Sequence, residues 1–187
     1  MNREIIIGIS GASGVQYGIR LLEALRSMKD VETHLVVSGS AKQLIRIETD
    51  FSINDVVKMA DHVYSDDDFT APIASGSHRT EGMIVAPCSM KTLASIAVGM
   101  SDTLISRAAD VCLKEKRQLI LMTRETPLNL IHIENMERVM RAGASVLPAS
   151  PAFYTKPKTL DDIINFMAGR ALDLLKIEHN LYRRWRE

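Results

Sequence analysis

The chain has 187 residues, 46% of them hydrophobic and 25% charged, with 23 basic residues balanced by 23 acidic ones. That length fills one hydrophobic core and falls short of two, so a single domain over 1–187 is expected. Zero net charge gives no general attraction to nucleic acid or an anionic membrane, so neither is expected as a partner and any basic site must be local.

The first residues, MNREIIIG, enter a strand at once, without the long apolar run and small-residue cleavage site of an export signal. The other apolar runs are strand-sized, far below the ~18 residues that span a bilayer. A cytoplasmic protein is therefore expected. Cys88 and Cys112 make no disulfide framework, and the five histidines form no HExxH or CxxC-type cluster, so no bound metal is expected.

Strand-like runs occur at Glu4 to Ile9, Thr33 to Ser38, Gly82 to Pro87, Gln118 to Thr123 and Ala144 to Pro148, with a shorter one at HVYS, from His62. Between them, helical patterns cover Val15 to Met28, Ala41 to Glu48, Ile53 to Ala60, Leu93 to Ala97, Thr103 to Lys116, Asn129 to Ala142 and Leu160 to Ile177. Strands that are apolar on both faces, alternating with helices, predict an α/β fold with a doubly wound parallel sheet. The longest irregular stretch runs from Ser65 to Gly82, and its Asp66-Asp67-Asp68 reads as a solvated cap rather than a metal site. The tail, residues 176–187, is basic and carries the only tryptophan, Trp185. It reads as a docking segment at a subunit interface, since no matching basic face supports a nucleic-acid arm.

Parallel sheets bind ligands outside the carboxyl ends of their strands. The residues there are SGASG (Ser10 to Gly14), SGSA (Ser38 to Ala41), PCSMKT (Pro87 to Thr92), RETP (Arg124 to Pro127) and PASPAFYTKP (Pro148 to Pro157). Hydroxyls, small residues and isolated cations on one rim suit an anionic, heteroaromatic ligand. Gly8, Gly11 and Gly14 are spaced G-x-x-G-x-x-G, which is neither the dinucleotide G-x-G-x-x-G nor a P-loop. The second strand ends at Ser38, where a dinucleotide site wants an acid for the ribose. A mononucleotide fits better, and a plain tight turn is the competing reading.

Ser89, Lys91 and Thr92 stand in the first turn of a helix, where hydroxyls and free amides grip a phosphate or simply cap. Cys88 reads as a small buried residue rather than a nucleophile, with no histidine in a motif beside it. Arg107 and Lys114, two helical turns apart, lie within about 20° on one face. With Asp110 between them they make either an ion-pair ladder or a phosphate site. Arg124 and Glu125 pair a cation for an oxyanion with a carboxyl that can exchange a proton. Tyr154 and Arg170 can complete such a pocket.

The stretches GISGASGVQYGIRLL, SGSHRTEGMIVAPCSMKTLASI, SRAADVCLKEKRQLILMTRETPLNLIHIENM and PAFYTKPKTLDDIINF resemble, across nearly the whole chain, the flavin prenyltransferases of the UbiX/Pad1 type. The resemblance implies a flavodoxin-like or Rossmann-like flavoprotein domain and a metal-independent transferase. Its activity joins a dimethylallyl group, from dimethylallyl phosphate, to N5 and C6 of reduced FMN, making prenylated FMN for a UbiD-type decarboxylase. It implies homo-oligomers, typically dodecamers, with active sites between subunits. FMN would contact Gly11, Ala12, Ser13, Ser38, Ser89, Met90, Lys91, Thr92 and Arg124. The dimethylallyl phosphate would meet Lys114, Tyr154 and Arg170, with Arg107 nearby and Glu48 reaching in from a neighbouring chain. Glu125, helped by Ser13, would pass the proton to the leaving phosphate, while cations stabilise its growing charge. His78, often Phe in relatives, and Phe69, where others carry Trp or Ala, bear on the shape of the allyl pocket.

Two other readings use the same sheet. An FMN-dependent cysteine decarboxylase would want a histidine near the first turn and an Asn-containing segment where this chain has PCSMKT. A non-catalytic flavin carrier would have no use for a second phosphate site.

Overall fold

The computed structural model describes residues 3–186, and Met1, Asn2 and Glu187 lie outside them. Among the described residues, six strands form one sheet: β1 (Arg3–Ile9), β2 (Val31–Val37), β3 (His62–Tyr64), β4 (Gly82–Cys88), β5 (Gln118–Thr123) and β6 (Ser145–Val146). Their order is β3-β2-β1-β4-β5-β6, and every neighbouring pair is parallel. Of the two doubly wound arrangements left open by the sequence, this is the order of the dinucleotide-binding folds. It reverses direction between β1 and β4.

Among the described residues, seven helices accompany the sheet: α1 (Gln16–Arg26), α2 (Gly39–Glu48), α3 (Ile53–Val57), α4 (Met90–Ala97), α5 (Leu104–Lys114), α6 (Leu130–Arg141) and α7 (Leu160–Leu174). Because side chains alternate along a strand, β1 divides the core. Ile5, Ile7 and Ile9 face α1, α2 and α7, with Leu22, Ile45 and Met167. Ile6 faces the other way with Met83, Ile105 and Val139, against α5 and α6. Both layers are built of buried apolar side chains, which is why the strands read as continuous apolar runs rather than alternating ones.

The expected boundaries move where a polar side chain caps a helix. Ser38 is the N-cap of α2 and accepts the Ala41 N–H (3.1 Å), so β2 stops at Val37 and the helix begins at Gly39. Ser89 does the same for Thr92 (3.2 Å), which starts α4 at Met90 rather than Leu93. Such a cap contributes about 1 kcal/mol. Helix α7 ends earlier than its apolar pattern, because Lys176 takes a left-handed φ of 56° and the Ile177 N–H turns back to Leu172 O (3.0 Å). The last strand keeps only Ser145 and Val146 of the expected five-residue run. A short 3₁₀ turn, Pro72–Ala74, punctuates the long irregular stretch.

Candidate active site

The reversal between β1 and β4 opens a crevice outside their carboxyl ends. Ser10, 1% exposed, joins the two sides. Its Oγ donates to Pro87 O (2.8 Å) and accepts the Ser89 N–H (2.8 Å), and its own N–H reaches Pro87 O (3.2 Å). Pro87 has no N–H to give the ladder, and the β4–β5 register shifts between Val85 and Cys88. The glycine-rich turn then rises to Gly14, whose φ of 99° favours glycine. The Gly14 N–H donates to Glu48 Oε2 (2.8 Å), and Gln16 Nε2 donates to Glu48 O (3.0 Å). The end of α2 is thus pinned to the opening turn of its own chain.

Inside the crevice lies a cavity of about 40 Å³, bounded by Gly11, Ser38, Ser89, Lys91 and Thr92. At roughly 10–15 Å³ per water, that holds a compact group of a few atoms. Gly11 keeps it open towards α2: a Cβ there would meet Ser40 Oγ at 2.1 Å. Asp66 and Asp102 line another part of the same cavity. Burial pushes the Asp66 carboxyl above its ordinary range, against the Ile105 N–H bonded to it (3.0 Å) and the nearby Lys91 charge. Hydroxyl, amide and ammonium donors beside carboxylate acceptors suit a ligand that carries both an anionic group and hydroxyls.

Arg124 follows β5, its N–H directed at Cys88 O (3.4 Å). Its guanidinium Nε is buried and has no hydrogen-bond partner among the described residues. Burial raises the pKa of Tyr17 on α1 while the Arg124 charge opposes it, so the two share one neighbourhood. Glu125 is exposed, with Oε1 accepting the Thr126 N–H (3.0 Å). Ser13 is exposed, Ala12 buried and Met90 half-buried. Burial pushes the Cys88 thiol up to about 12, in keeping with a packing residue and not a nucleophile.

The other expected site residues lie elsewhere in the single chain. Helix α5 starts at the rim and runs back towards the amino end of β5, which carries Lys114 away from the cavity. Arg107 and Lys114 do share a face, about 10 Å apart along the axis. That face meets the irregular stretch: Arg107 Nε donates to Ala74 O (3.1 Å), and a Cβ on Gly76 would sit 2.5 Å from Lys114 Nζ. Asp110 pairs with Arg107 (3.0 Å), and Lys114 pairs with Glu115, so the expected Asp110–Lys114 rung is replaced.

Tyr154 and Arg170 join a C-terminal cluster. Tyr154 meets Trp185 (ring centroids 4.9 Å) and Phe166 (5.9 Å), Phe166 meets Tyr182 (4.8 Å), and Arg170 reaches Asp173 (2.9 Å) and the Tyr182 hydroxyl (3.4 Å). Glu48, assigned by resemblance to a neighbour's site, touches its own turn. His78 packs on Glu4 and His34 towards the amino ends of the strands, while Phe69 is exposed.

Sequence reasoning set Ser10 and Ser40 on the rim without giving either a role, and it missed Asp66 and Asp102. Asp66 was detectable within the acidic run, but it is half-buried, and it caps α5 through its side chain and through its carbonyl, which accepts the Leu104 N–H (2.7 Å). Ser10 carries no signal beyond its place after a strand.

The Flavoprotein family model matches residues 1–172. A flavin prenyltransferase UbiX of Neisseria meningitidis serogroup B is 54% identical over 178 residues, covering 95% of this chain and 94% of that protein. The crystal structure of AnUbiX (PadA1) in complex with FMN and dimethylallyl pyrophosphate matches with a TM-score of 0.98 at 49% identity, over 100% of this chain and 99% of the other. A dodecameric FMN-dependent UbiX-like decarboxylase from Escherichia coli O157:H7 matches with a TM-score of 0.96 at 50% identity, over 98% and 100%. One family model over most of the chain and half-identical relatives along nearly its full length lead to one assignment: this chain belongs to the Flavoprotein family, among its UbiX-type flavin prenyltransferases.

Proposed function

We propose that this protein transfers the dimethylallyl group of dimethylallyl phosphate to N5 and C6 of reduced FMN, releasing phosphate, and that the prenylated FMN serves a UbiD-type decarboxylase. The observation that carries this reading is Arg124, a cation with a buried, unpartnered Nε beside the crevice. The Gly11 cradle and the hydroxyls of Ser38, Ser89 and Thr92 fit the phosphate and hydroxyl-bearing chain of FMN. Gly11, Ala12, Ser13, Ser38, Ser89, Met90, Lys91, Thr92 and Arg124 hold it. Reduced FMN, when bound, supplies the electron-rich ring that forms the new C–N and C–C bonds.

The chain's own groups manage the leaving phosphate. As the allyl C–O bond breaks, its electron pair leaves with the phosphate, and Arg107, Lys114 and Arg170 stabilise the growing charge. Tyr154 positions the phosphate by its hydroxyl. Glu125, beside Arg124 and assisted by Ser13, delivers a proton to the phosphate oxygen. Glu48 acts at the opening turn.

Because Lys114, Tyr154 and Arg170 lie away from the cavity within one chain, complete sites form between subunits of a homo-oligomer, with a dodecamer as the expected assembly. Its support is the exposure of Leu130, Ile131 and Ile133 on α6 and of Val98 and Met100 nearby. Residues 1–187 form one flavoprotein domain, with 176–187 as an interface tail. The protein works in the cytoplasm without nucleic acid, membrane or metal in its reaction. Among the described residues no helix is long and apolar enough to cross a membrane.

The test is anaerobic incubation of the protein with reduced FMN and dimethylallyl monophosphate, or the diphosphate in parallel, followed by mass spectrometry of the flavin. Addition of one C5H8 unit is expected, and an unchanged flavin rejects the reading.

A further inference from the structure

Three histidines that stand far apart in sequence meet on the sheet face that carries α5. Strand register sets His34 of β2 opposite His62 of β3, and the rings stack at 4.7 Å. His78 comes from the irregular stretch to meet the His34 ring edge-on at 5.4 Å. Glu4, near the start of β1, joins them: its Oε2 lies 2.9 Å from His34 Nε2 and 2.7 Å from His78 Nε2. The three donor atoms fall within 4.8 Å of one another. The His78 approach is close without being a hydrogen bond, since its buried Nε2 has no partner of acceptable geometry among the described residues.

We propose that Glu4, His34 and His78 bind a divalent transition-metal ion, Zn²⁺ foremost, at a site separate from the flavin crevice. Two imidazole nitrogens with one carboxylate match the ligand set of borderline ions such as Zn²⁺, and suit neither Mg²⁺ nor Ca²⁺, which favour all-oxygen cages. With bonds of about 2.0–2.1 Å, a tetrahedral ion sets its ligands roughly 3.3 Å apart. The Glu4 carboxylate, on a half-buried side chain, reaches that spacing from each of the two imidazole nitrogens by withdrawing about half an ångström. The fourth position is left to water.

The surroundings orient the ligands. The Tyr64 hydroxyl lies 3.1 Å from His34 Nδ1. By accepting that N–H it leaves the Nε2 lone pair for the ion, as outer partners of metal-bound histidines do. A bound ion fastens the irregular stretch to β1 and β2. That stretch also presents Ala74 O to Arg107, and Gly76 O and His78 O to Arg117 (2.7 and 2.8 Å). The ion therefore braces the segment against which the α5 cations lie.

The experiment uses the full-length protein, freed of metal by chelator dialysis and titrated with ZnCl₂ by calorimetry and with CoCl₂ by visible absorption. Saturable binding of one ion per chain is expected, with a Zn²⁺-dependent rise in melting temperature. His78→Phe and Glu4→Gln change half-buried positions and are expected to fold. Each weakens binding at least ~10-fold and abolishes the thermal shift, while His132→Ala changes neither. Absence of saturable binding by the unsubstituted protein overturns the proposal, as does wild-type affinity in His78→Phe.

Discussion

Glu48 Oε2 accepts the backbone N–H of Gly14 at 2.8 Å, so the last residue of α2 holds the glycine turn in the shape that receives a ligand. Truncation leaves a partly buried N–H without a partner. Glu48→Ala is expected to cost about 1–3 kcal/mol of stability, read from urea unfolding. Glu48→Gln retains a carbonyl acceptor and should unfold within about 1 kcal/mol of the parent. If both variants unfold alike, the hydrogen bond is not what matters.

Glu125 is exposed and its carboxylate bonds only locally among the described contacts, so its loss should leave the fold intact. Glu125→Gln is expected to bind FMN as before and to prenylate it at least ~100-fold more slowly, the scale of a lost acid–base group. Flavin binding and single-turnover mass spectrometry separate the two effects. Unchanged turnover removes Glu125 from the proton-transfer role.

Arg124 keeps an unpartnered Nε in a buried position. A charge-assisted hydrogen bond formed there contributes about 1.5–3 kcal/mol, so Arg124→Ala should weaken FMN binding roughly 10- to 100-fold. Arg124→Lys keeps the charge but not the planar fork. Its expected affinity lies between those of the parent and the alanine variant, as measured by fluorescence quenching of FMN.

Asp173 accepts bonds from Arg170 (2.9 Å), Arg184 (2.9 Å), His179 (3.1 Å) and the Tyr182 hydroxyl. Burial raises its pKa, yet the bonds from Tyr182, Arg184 and His179 outweigh this and hold it below the ordinary 3.8. A depressed carboxylate stabilises the fold fully above its unfolded value and loses that contribution as pH falls through the folded one. Below about pH 4 the tail should therefore loosen, with a red shift of Trp185 emission. Asp173→Asn should show the same shift at neutral pH.

Burial pushes the Cys88 and Cys112 thiols up to about 12. Neither should react with an aromatic disulfide reagent at pH 8 in the native protein, and both should react in denaturant. Cys88→Ala is expected to retain turnover within about threefold of the parent, since no thiolate takes part. Rapid native labelling of Cys88 would contradict its burial.

Much of this fold was written in the strands. Ile5, Ile6 and Ile7 are apolar in succession because both sheet faces are covered, and that continuity identifies a parallel sheet without any alignment. Strand order was not readable, since the reversal rests on the path from β3 to β4 through the irregular stretch, which carries no periodicity. The rim residues were legible because topology sends every loop after a strand to one edge. Arg107 and Lys114 were legible as one helix face, but not as a face turned to Ala74 and Gly76. The histidine cluster was invisible for a similar reason: His34 and His62 become neighbours only when β2 and β3 pair, and His78 arrives through an irregular stretch whose path has no periodicity.

The buried hydroxyl of Ser10 makes the strand ends of β1 and β4 a single mechanical part, because one oxygen serves as donor to one loop and acceptor for the same loop's next amide. Neither loop can swing away from the other without breaking both bonds together. A ligand therefore meets a floor of fixed width, and any opening that admits or releases a flavin must come from the walls: α2 with Ser40, the irregular stretch with Asp66, or an adjoining subunit.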